Sequence, residues 1–478
     1  MNKDTYQELC KVFDQILTNE PTPEIIANNY LHILNLNPES LSKYNTSKIE
    51  NFWLSIRFKL VFIIRLFQSI FNRRYQSLHQ KDIKSDVLFV SHLTNSQQLS
   101  QGGDAYFGDL PYQLLDGNIS SSIALIKHTK ISNQQVLRGW MGGRISRFVL
   151  SSSLGFVSET RLYLAQRRSR KRLESILKDL KVDKELAKGI LCHHMSSGTF
   201  SSLRIAKQVA EIANKVGAKF VVTTYEGYAW ERLVYYFTRK ASPNIKCLGY
   251  QHAAVFEHQH AIKRPLDKKY NPDTILTSGI VAKDILEKSQ FKRGAIICLG
   301  SPKYVEASMI VSKSQSCLVV PEGIISESLA LFTFSLECAI QHQEQKFIWR
   351  LHPLLSFERL KKQSSIFKNL PDNITLSEGG LDHDIQKCDS VLYSGSTAVV
   401  NAINAGLRPI YYQHSSDELS IDPIYTHQAG KFIVHNQYEL SAAIFQSPNR
   451  KNQKILQDFA QDFYTHLDAN VLFKELMP

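Results

Sequence analysis

The sequence predicts an α/β protein with two domains, each built around a parallel β-sheet. Short β-rich runs alternate with helical segments from residue 86 onward, and this alternation is typical of βαβ units. The alternation starts again with an apolar run at 315–323, after a joining segment near 302–314. Two successive series of this kind indicate two Rossmann-like domains in tandem, whose ligands bind where the strands end.

The elements are expected in the following order. Residues 1–80 should be helical, because Pro21, Pro23 and Pro38 separate helical patterns and no strand-like run occurs there. The first series of strands is expected at 86–92, 121–128, 189–194, 219–226, 244–252, 274–279 and 295–301, with helices at 155–183 and 201–217. The second series is expected to have strands at 315–323, 346–353, 373–378, 390–395 and 408–413, helices at 328–343 and 396–407, and a last helix at 453–467.

These boundaries divide the chain into four parts. We expect a helical N-terminal extension at 1–80, an N-terminal Rossmann-like domain at 81–310, a C-terminal Rossmann-like domain at 311–445, and a C-terminal helix at 446–478. If the two domains face each other, the cleft between their strand ends is the natural binding site.

Composition excludes several classes of protein. With 43% hydrophobic residues among 478, the chain is neither disordered nor fibrous. Its formal net charge of +13 suggests an anionic partner: a nucleic acid, a membrane surface or a phosphorylated substrate. The densest basic run, RRSRKR at 167–172, has no interleaved aromatic residues and no accompanying nucleic-acid motif. Nucleic acid is therefore the least favoured partner. The basic run is interpreted either as a solvated helix face or as a patch that faces a membrane.

The cysteines and the apolar segment at 52–75 bear on the cellular compartment of the protein and on whether it contacts a membrane. None of the seven cysteines forms a CxxC pair, which favours free thiols in a reducing cytosol, and the N-terminus lacks a signal-peptide pattern. Arg57, Lys59 and Arg65 interrupt the apolar segment at 52–75, so we do not expect it to span a membrane. It would either lie on anionic lipid or dock on the protein's own core. We expect a cytoplasmic protein, with peripheral binding to the inner face of the cytoplasmic membrane as one of these alternatives.

Polar residues follow two strands of the second domain. The strand at 346–353 ends in Arg350, His352 and Pro353. The strand at 390–395 leads into a turn of Ser394, Gly395, Ser396 and Thr397 at a helix start. Backbone N–H groups and hydroxyls at such a turn suit a phosphate, and Arg350 or His352 could add a charged hydrogen bond. Helix capping by the turn and a structural role for His352 are the alternatives.

The first domain carries a second group of polar residues. The strand at 219–226 ends at Glu226, and Glu231 follows on the next helix, whereas His252 follows the next strand. His193 with His194, or His258 and His260 with Glu257, could suggest a metal site, but no third ligand has a clear spacing. We therefore expect no metal. A Walker A loop and a GxGxxG turn after a strand are both absent from the sequence.

These motifs resemble a known group of enzymes. An HP motif on one strand, followed by a Ser/Thr-rich turn after a later strand, is similar to bacterial sialyltransferases and Kdo transferases, which have the GT-B fold and use CMP-activated ulosonic acids. The segments YEGYAWE at 225–231, GYQH at 249–252 and SHL…DAYFGDLP at 91–111 resemble those of surface-carbohydrate biosynthesis proteins, including transferases for Kdo-like sugars. The resemblance covers residues 86–425.

The resemblance implies roles for these residues. His352 with Ser394, Ser396 and Thr397 would hold the CMP phosphate. The turn of Pro321, Glu322 and Gly323 would face the same cleft, with Glu322 near the ribose or the cytosine. Ser91, His92 and Asp104 would lie on the acceptor side. Each has a structural alternative, such as an ordinary turn for Glu322.

Transfer from a CMP-ulosonic acid breaks the bond between C2 and the phosphate oxygen through an oxocarbenium-like state. An inverting enzyme needs a carboxylate as base for the acceptor hydroxyl, and a retaining enzyme could use a carboxylate nucleophile. Glu226 is the first candidate for either role, and Glu159 and Glu231 are further carboxylates. His252 would assist the leaving phosphate or orient the carboxylate. Each of these residues has a structural alternative. Glu226 could be a charge at a helix N-terminus, Glu159 a solvated helix residue, and His252 an interior histidine.

The sequence therefore predicts a glycosyltransferase that moves an ulosonic acid, with Kdo as first choice, from CMP to a capsule, O-antigen or lipopolysaccharide glycan. The donor is a substrate, and we expect no cofactor. Partners would be the CMP-sugar, a glycan or glycolipid acceptor and an anionic membrane surface. The alternatives are a sialic, pseudaminic or legionaminic acid transferase, a UDP-sugar GT-B transferase or epimerase, and a non-catalytic polysaccharide assembly protein.

Overall fold

The described part of the chain forms two β-sheets, each with apolar cores on both faces. In β2(Val87–Leu93) of the first sheet, Leu88 and Val90 belong to one core, and Val87 and Phe89 belong to the other. This alternation follows from the two-residue period of a strand, and it requires helices on both sides. The computed structural model describes residues 1–45, 48–70, 75–77, 83–99, 103–140, 143–264, 266–289, 294–308, 316–353, 355–415, 418–446 and 449–477.

The N-terminal extension folds against the first domain. Its helices are α1(Lys3–Asn19), α2(Pro23–Ile26), α3(Pro38–Ser42) and α4(Lys48–Gln68). The Asn2 side chain caps α1 by accepting a hydrogen bond from the Thr5 N–H. The Asp14 carboxylate of α1 accepts hydrogen bonds from His260 and from Arg264, at 2.8 and 2.6 Å. Apolar residues of the extension, such as Phe13 and Ile16, also belong to the same hydrophobic core as Leu88 and Val90 of the first sheet.

The first sheet has eight strands in the order β1-β4-β3-β2-β5-β6-β7-β8. All neighbours are parallel except β1, which pairs antiparallel with β4. The prediction that residues 1–80 lack a strand is therefore wrong, because β1 lies within them. The strands are β1(Tyr75–Ser77), β2(Val87–Leu93), β3(Ser121–Lys127), β4(Ser146–Leu150), β5(Phe220–Thr224), β6(Lys246–Gln251), β7(Thr274–Thr277) and β8(Ala295–Cys298).

Seven helices accompany this sheet: α5(Leu110–Asp116), α6(Asn133–Gly139), α7(Phe156–Asp179), α8(Lys184–His194), α9(Ser197–Val216), α10(Ala229–Ala241) and α11(Ile280–Lys288). The prediction of a strand at 189–194 is wrong, because these residues lie in α8. The Asp183 carboxylate caps α8 by accepting from the N–H groups of Glu185 and Leu186. Helix α9 ends at Gly217, whose φ of +71° is a left-handed conformation that glycine adopts without steric cost.

The second sheet has six parallel strands in the order β11-β10-β9-β12-β13-β14. Its strands are β9(Ser316–Val320), β10(Lys346–Trp349), β11(Ile374–Leu376), β12(Ser390–Tyr393), β13(Arg408–Tyr412) and β14(Phe432–Val434). Its helices are α12(Ile325–Gln341), α13(Phe357–Gln363), α14(Leu381–Ile385), α15(Ala398–Asn404) and α16(Gln437–Phe445). The five strands predicted in this half of the chain are all present.

The C-terminal segment holds the two domains together. Helix α17(Arg450–Phe463) packs on α15 of the second domain and on α11 of the first, and α18(Ala469–Leu476) packs on α5. The backbone at Gly300, with φ of +93°, passes so close to the carbonyl of His466 that a side chain at this position would overlap it. The predicted α/β class, with two Rossmann-like domains in the GT-B arrangement, a helical extension and a C-terminal helix, is confirmed.

The carboxyl ends of the two sheets face the same region. The chain leaving β6 places Ala254 in the core of the second domain, and Phe256 packs on the cores of both domains. That second core includes Val320 and Tyr393, the last residues of β9 and β12. The loop after β6 therefore connects the strand ends of one sheet to those of the other.

Candidate functional site

Glu226 lies in the turn after β5, at the carboxyl edge of the first sheet. The next residue, Gly227, has φ of +91°, and a side chain there would overlap the backbone of Ala261, so the turn requires glycine. The Glu226 side chain is 24% exposed. Burial raises the pKa of its carboxyl to about 7, although the positive charge of Lys303 opposes this shift. Glu226 is thus a carboxyl group that exchanges a proton near neutral pH.

His252, after β6, is the neighbour of Glu226. Its Nε2 lies 3.5 Å from Oε1 of Glu226, and its side chain is 13% exposed. Burial and the charge of Lys303 lower the pKa of His252 to about 3, so the imidazole is neutral near pH 7. The Tyr106 ring packs edge-on against it, with ring centroids 4.9 Å apart. The pair can therefore share a hydrogen bond without forming two full charges.

The predicted acceptor-side residues lie at the same edge. Oδ1 of Asp104 accepts hydrogen bonds from the Ser91 hydroxyl at 2.8 Å and from the N–H groups of Tyr106 and Phe107 at 2.9 and 3.0 Å. Ser91 and Asp104 thereby fix the loop that places Tyr106 against His252. They are positioning residues for the pair at Glu226.

His92 connects this group to the next strand. Its Nε2 lies 3.0 Å from the Thr224 hydroxyl, and its Nδ1 lies 3.0 Å from Nε2 of His128. Burial and His128 lower the pKa of His92 to about 3. A row of neutral polar groups thus runs along the sheet edge, from the end of β5 past β2 to the end of β3.

Two further carboxylates that the sequence proposes as catalytic have structural partners. Glu231 accepts hydrogen bonds from the backbone N–H groups of Glu226, Gly227 and Tyr228, so it builds the turn that holds Glu226. Glu159 forms a bidentate ion pair with Arg204, at 2.7 and 2.8 Å, and both side chains are almost fully buried. The occupied oxygens of Glu159 argue against the catalytic role predicted for it.

Three motifs of the second domain converge at the carboxyl edge of its sheet. A Cβ at Gly323 would lie 2.8 Å from Nδ1 of His352, and a Cβ at Gly395 would overlap the Glu322 carboxylate. The PEG turn after β9, the HP motif after β10 and the Ser/Thr turn after β12 are therefore in contact. Ser394 lies in the same turn, and its hydroxyl is buried with no hydrogen-bond partner among the described residues.

Glu322 is the buried carboxyl at the centre of this group. Its Oε2 accepts from Nδ2 of Asn37 at 3.3 Å, whereas its Oε1 is buried and unpaired within the described ranges. Burial, together with the charge of Glu327, raises its pKa to about 7. The N-terminal extension therefore contributes a residue to the second domain's site.

The remaining donor-side candidates differ in their surroundings. Ser396 and Thr397 are half-buried at the start of α15, Thr397 does not cap that helix with its side chain, and Pro353 is exposed. Arg350 instead donates to the Asp384 carboxylate at 2.7 Å and to the carbonyl of Gly379. This ion pair argues against the phosphate contact predicted for Arg350.

Sequence reasoning missed three residues of the site: Tyr106, Lys303 and Asn37. Tyr106 lies in the DAYFGDLP segment, whose resemblance to surface-carbohydrate biosynthesis proteins could have indicated it. Nothing in the sequence around Lys303 or Asn37 indicates that they approach Glu226 and Glu322.

Two negative findings hold for the described part of the chain. It contains no group of three or more His, Cys, Asp or Glu side chains arranged to hold a metal ion. None of the helices described there is long and apolar enough to cross a bilayer.

Comparisons with known proteins give a limited result. No family model matches the chain, and no curated protein matches it. Among solved structures, it is similar to the glycosyltransferase SnogD from Streptomyces nogalater, with 12% identity, a TM-score of 0.46, and coverage of 82% of this chain and 100% of that one. It is also similar to the UDP-GlcNAc 2-epimerase from Neisseria meningitidis, with 11% identity, a TM-score of 0.44, and coverage of 81% of this chain and 98% of that one. A third similar structure is the lipopolysaccharide outer core galactosyltransferase WaaB, with 9% identity, a TM-score of 0.46, and coverage of 82% of this chain and 98% of that one. Similarity at this level assigns neither activity nor substrate.

Proposed function

We propose that the protein is a GT-B glycosyltransferase that transfers an ulosonic acid, with Kdo as first choice, from a CMP-activated donor to a surface glycan. The observation that carries this proposal is the contact between the PEG turn, the HP motif and the Ser/Thr turn. These motifs are far apart in the chain, and the resemblance assigns all three to the donor. Their contact brings His352, Glu322 and the Ser/Thr turn within reach of a single ligand.

The donor side is suited to a nucleoside monophosphate. His352 and the hydroxyls of Ser394, Ser396 and Thr397 offer hydrogen bonds to phosphate oxygens. The unpaired Oε1 of Glu322 can accept from a ribose hydroxyl or from the exocyclic amine of cytosine. Because an unsatisfied buried oxygen is costly, a ligand group that donates to it gains affinity.

The acceptor side is suited to proton transfer. In the reaction, the acceptor hydroxyl oxygen forms a bond to C2 of the sugar, and the bond from C2 to the phosphate oxygen breaks. CMP leaves with that electron pair, and the hydroxyl proton passes to the Glu226 carboxylate. A pKa of about 7 is close to the optimum for a general base at neutral pH. This value favours the base role over the nucleophile role for Glu226.

Neutral His252 has a positioning role in this scheme. With Nε2 at 3.5 Å from Oε1, it can donate to the ionised Glu226 and hold the carboxylate toward the acceptor. Tyr106 fixes the imidazole from one side. The positive charge of Lys303 acts on both groups and offsets negative charge as CMP departs.

An anionic membrane surface would bring this enzyme to a lipid-linked acceptor. Helix α4 presents apolar side chains to solvent, with exposed fractions of 64% for Trp53, 56% for Leu60 and 66% for Phe67. Arg57 and Lys59 are exposed on the same helix. Apolar residues bordered by cations are typical of a helix that lies in the headgroup region of anionic lipid.

Nucleotide binding tests the donor assignment. We expect CMP to raise the melting temperature of the full chain and UDP, UMP and GDP to leave it unchanged. His352→Ala should remove the shift. His342→Ala, after α12 at the opposite edge of the same sheet, is the matched control and should retain it. Stabilisation by UDP instead of CMP would move the assignment to a UDP-sugar transferase or epimerase, and no stabilisation by any nucleotide would favour a non-catalytic assembly protein.

A further inference from the structure

A polar cavity lies at the carboxyl ends of β3 and β4, apart from the motifs described above. Its volume is about 590 Å³, and residues of α4, α9 and these strand ends line it. A cavity of this size accommodates a small molecule such as one or two sugar units. Among its lining residues are three cations, Arg65, Lys127 and Arg204, and several serines, including Ser152 and Ser201.

Arg204 supplies a buried donor at this cavity. Its side chain is 3% exposed, and its Nε and Nη2 are engaged by Glu159. The remaining nitrogen, Nη1, is buried and has no hydrogen-bond partner among the described residues. A buried N–H group without a partner is costly, and the cost is removed when an acceptor binds.

The cavity has more positive than negative charge. Arg65 approaches from α4, and within the described ranges its guanidinium group forms neither an ion pair nor a hydrogen bond. Burial and the nearby charge of Arg204 lower the pKa of Arg65. Lys127 donates to the Ile131 carbonyl, which leaves its charge uncompensated. The described residues that line the cavity include no carboxylate, and Glu159 behind them is already paired with Arg204, so an anion in the cavity would relieve the repulsion between the cations.

The position of the cavity relates it to Glu226. Strand β3 is two places from β5 in the sheet, so its end lies about 10 Å from the end of β5 at the usual strand spacing. The row formed by His128, His92 and Thr224 occupies the edge between them. One or two sugar units span this distance.

We propose that this cavity binds the anionic group, a carboxylate or a phosphate, of a sugar in the acceptor glycan. The assignment to an acceptor rests on the function proposed above, whereas the binding of an anion does not. Arg65 and Nη1 of Arg204 hold the anionic group, and the acceptor hydroxyl then reaches Glu226 along the sheet edge. The site would select acidic acceptors over neutral ones.

Direct binding to the full chain tests the proposal without any donor. The ligands are glucose, glucuronate and glucose 6-phosphate, titrated by calorimetry at low ionic strength. We expect glucose not to bind and at least one of the two acids to bind. Tighter binding of glucuronate would indicate a carboxylate site, and tighter binding of glucose 6-phosphate would indicate a phosphate site. Arg65→Gln should weaken that binding about tenfold or more, because it removes a charged hydrogen bond. Arg57→Gln, on the exposed part of the same helix, should have no effect.

The result separates this site from the proposed function. If neither acid binds at millimolar concentration, or if Arg65→Gln binds both as the unaltered protein does, the anion site is refuted. If an acid binds through Arg65 but no nucleotide stabilises the protein, the anion site stands and the proposed transfer fails. Arg65 is chosen because it is half-buried, whereas replacing buried Arg204 would leave Glu159 unpaired.

Discussion

Replacing Glu226 by glutamine is the perturbation whose effects on activity and stability go in opposite directions. Glutamine has nearly the same shape as glutamate, but it cannot accept the proton of an acceptor hydroxyl. Loss of a general base typically lowers turnover by about 10²–10⁴-fold. In the unaltered protein, turnover should rise with pH, reach half its maximum at the Glu226 pKa of about 7, and level off above that. The Glu226→Gln variant should lose this dependence.

The same substitution should stabilise the fold. The folded-state pKa of about 7 lies above the ordinary value of 4.5, so the folded protein binds this proton more tightly. Stability therefore falls as the pH rises between these two values, and the ionised carboxylate destabilises the fold at higher pH. The penalty is on the order of 1–3 kcal/mol, counting about 1.4 kcal/mol per pH unit as an upper bound. Glutamine removes this penalty, so the variant should melt higher at alkaline pH and almost unchanged near pH 4.5.

The assay follows CMP release from CMP-Kdo in the presence of a glycan acceptor across this pH range, alongside thermal unfolding. Glu257→Gln is the matched control, since Glu257 is a 44%-exposed carboxylate in the loop after β6. It should change neither turnover nor melting. Near-normal turnover by Glu226→Gln would remove Glu226 from the reaction. A loss of turnover together with a lower melting temperature would show that the residue is structural, which would refute the reasoning from its pKa.

Three other substitutions test further parts of the structure. Glu159→Gln breaks the buried ion pair with Arg204 and should destabilise the first domain by on the order of 3–5 kcal/mol, measured by thermal unfolding; unchanged stability would contradict a structural role for this ion pair. Asp104→Ala releases the loop that carries Tyr106 and should lower kcat more than it raises the donor KM; the reverse pattern would contradict a positioning role. Phe67→Ser should weaken binding to anionic vesicles about tenfold, whereas exposed Gln68→Ser should not; equal vesicle binding by both variants would exclude α4.

The sequence predicts the sheets well because buried parallel strands are apolar runs between turn signals, and most of the expected strands are present. The strand expected at 189–194 fails for a physical reason. Gly189, Ile190 and Leu191 form a short apolar run, and such a run does not distinguish a strand from a buried helix. The edge strand β1 has only three residues, too few for a pattern.

The site was predictable to the extent that it depends on strand ends. Glu226 and His252, and likewise His352 and Gly323, come together because the carboxyl ends of parallel strands share one edge of a sheet. The ion pairs of Glu159 and Arg350 depend on partners on other elements. Which side chains meet in these ion pairs depends on how the elements pack, and the spacing of residues along the chain does not encode that packing.

The proposed function is tested most directly by donor turnover. The full chain is incubated separately with CMP-Kdo, CMP-sialic acid and UDP-GlcNAc, with and without a lipopolysaccharide acceptor, and nucleotide release and sugar incorporation are measured. We expect CMP release with incorporation of the ulosonic acid, faster for CMP-Kdo than for CMP-sialic acid, and no release of UDP. Turnover of UDP-GlcNAc with neither CMP-sugar consumed would contradict the assignment of the PEG, HP and Ser/Thr turns to a CMP donor.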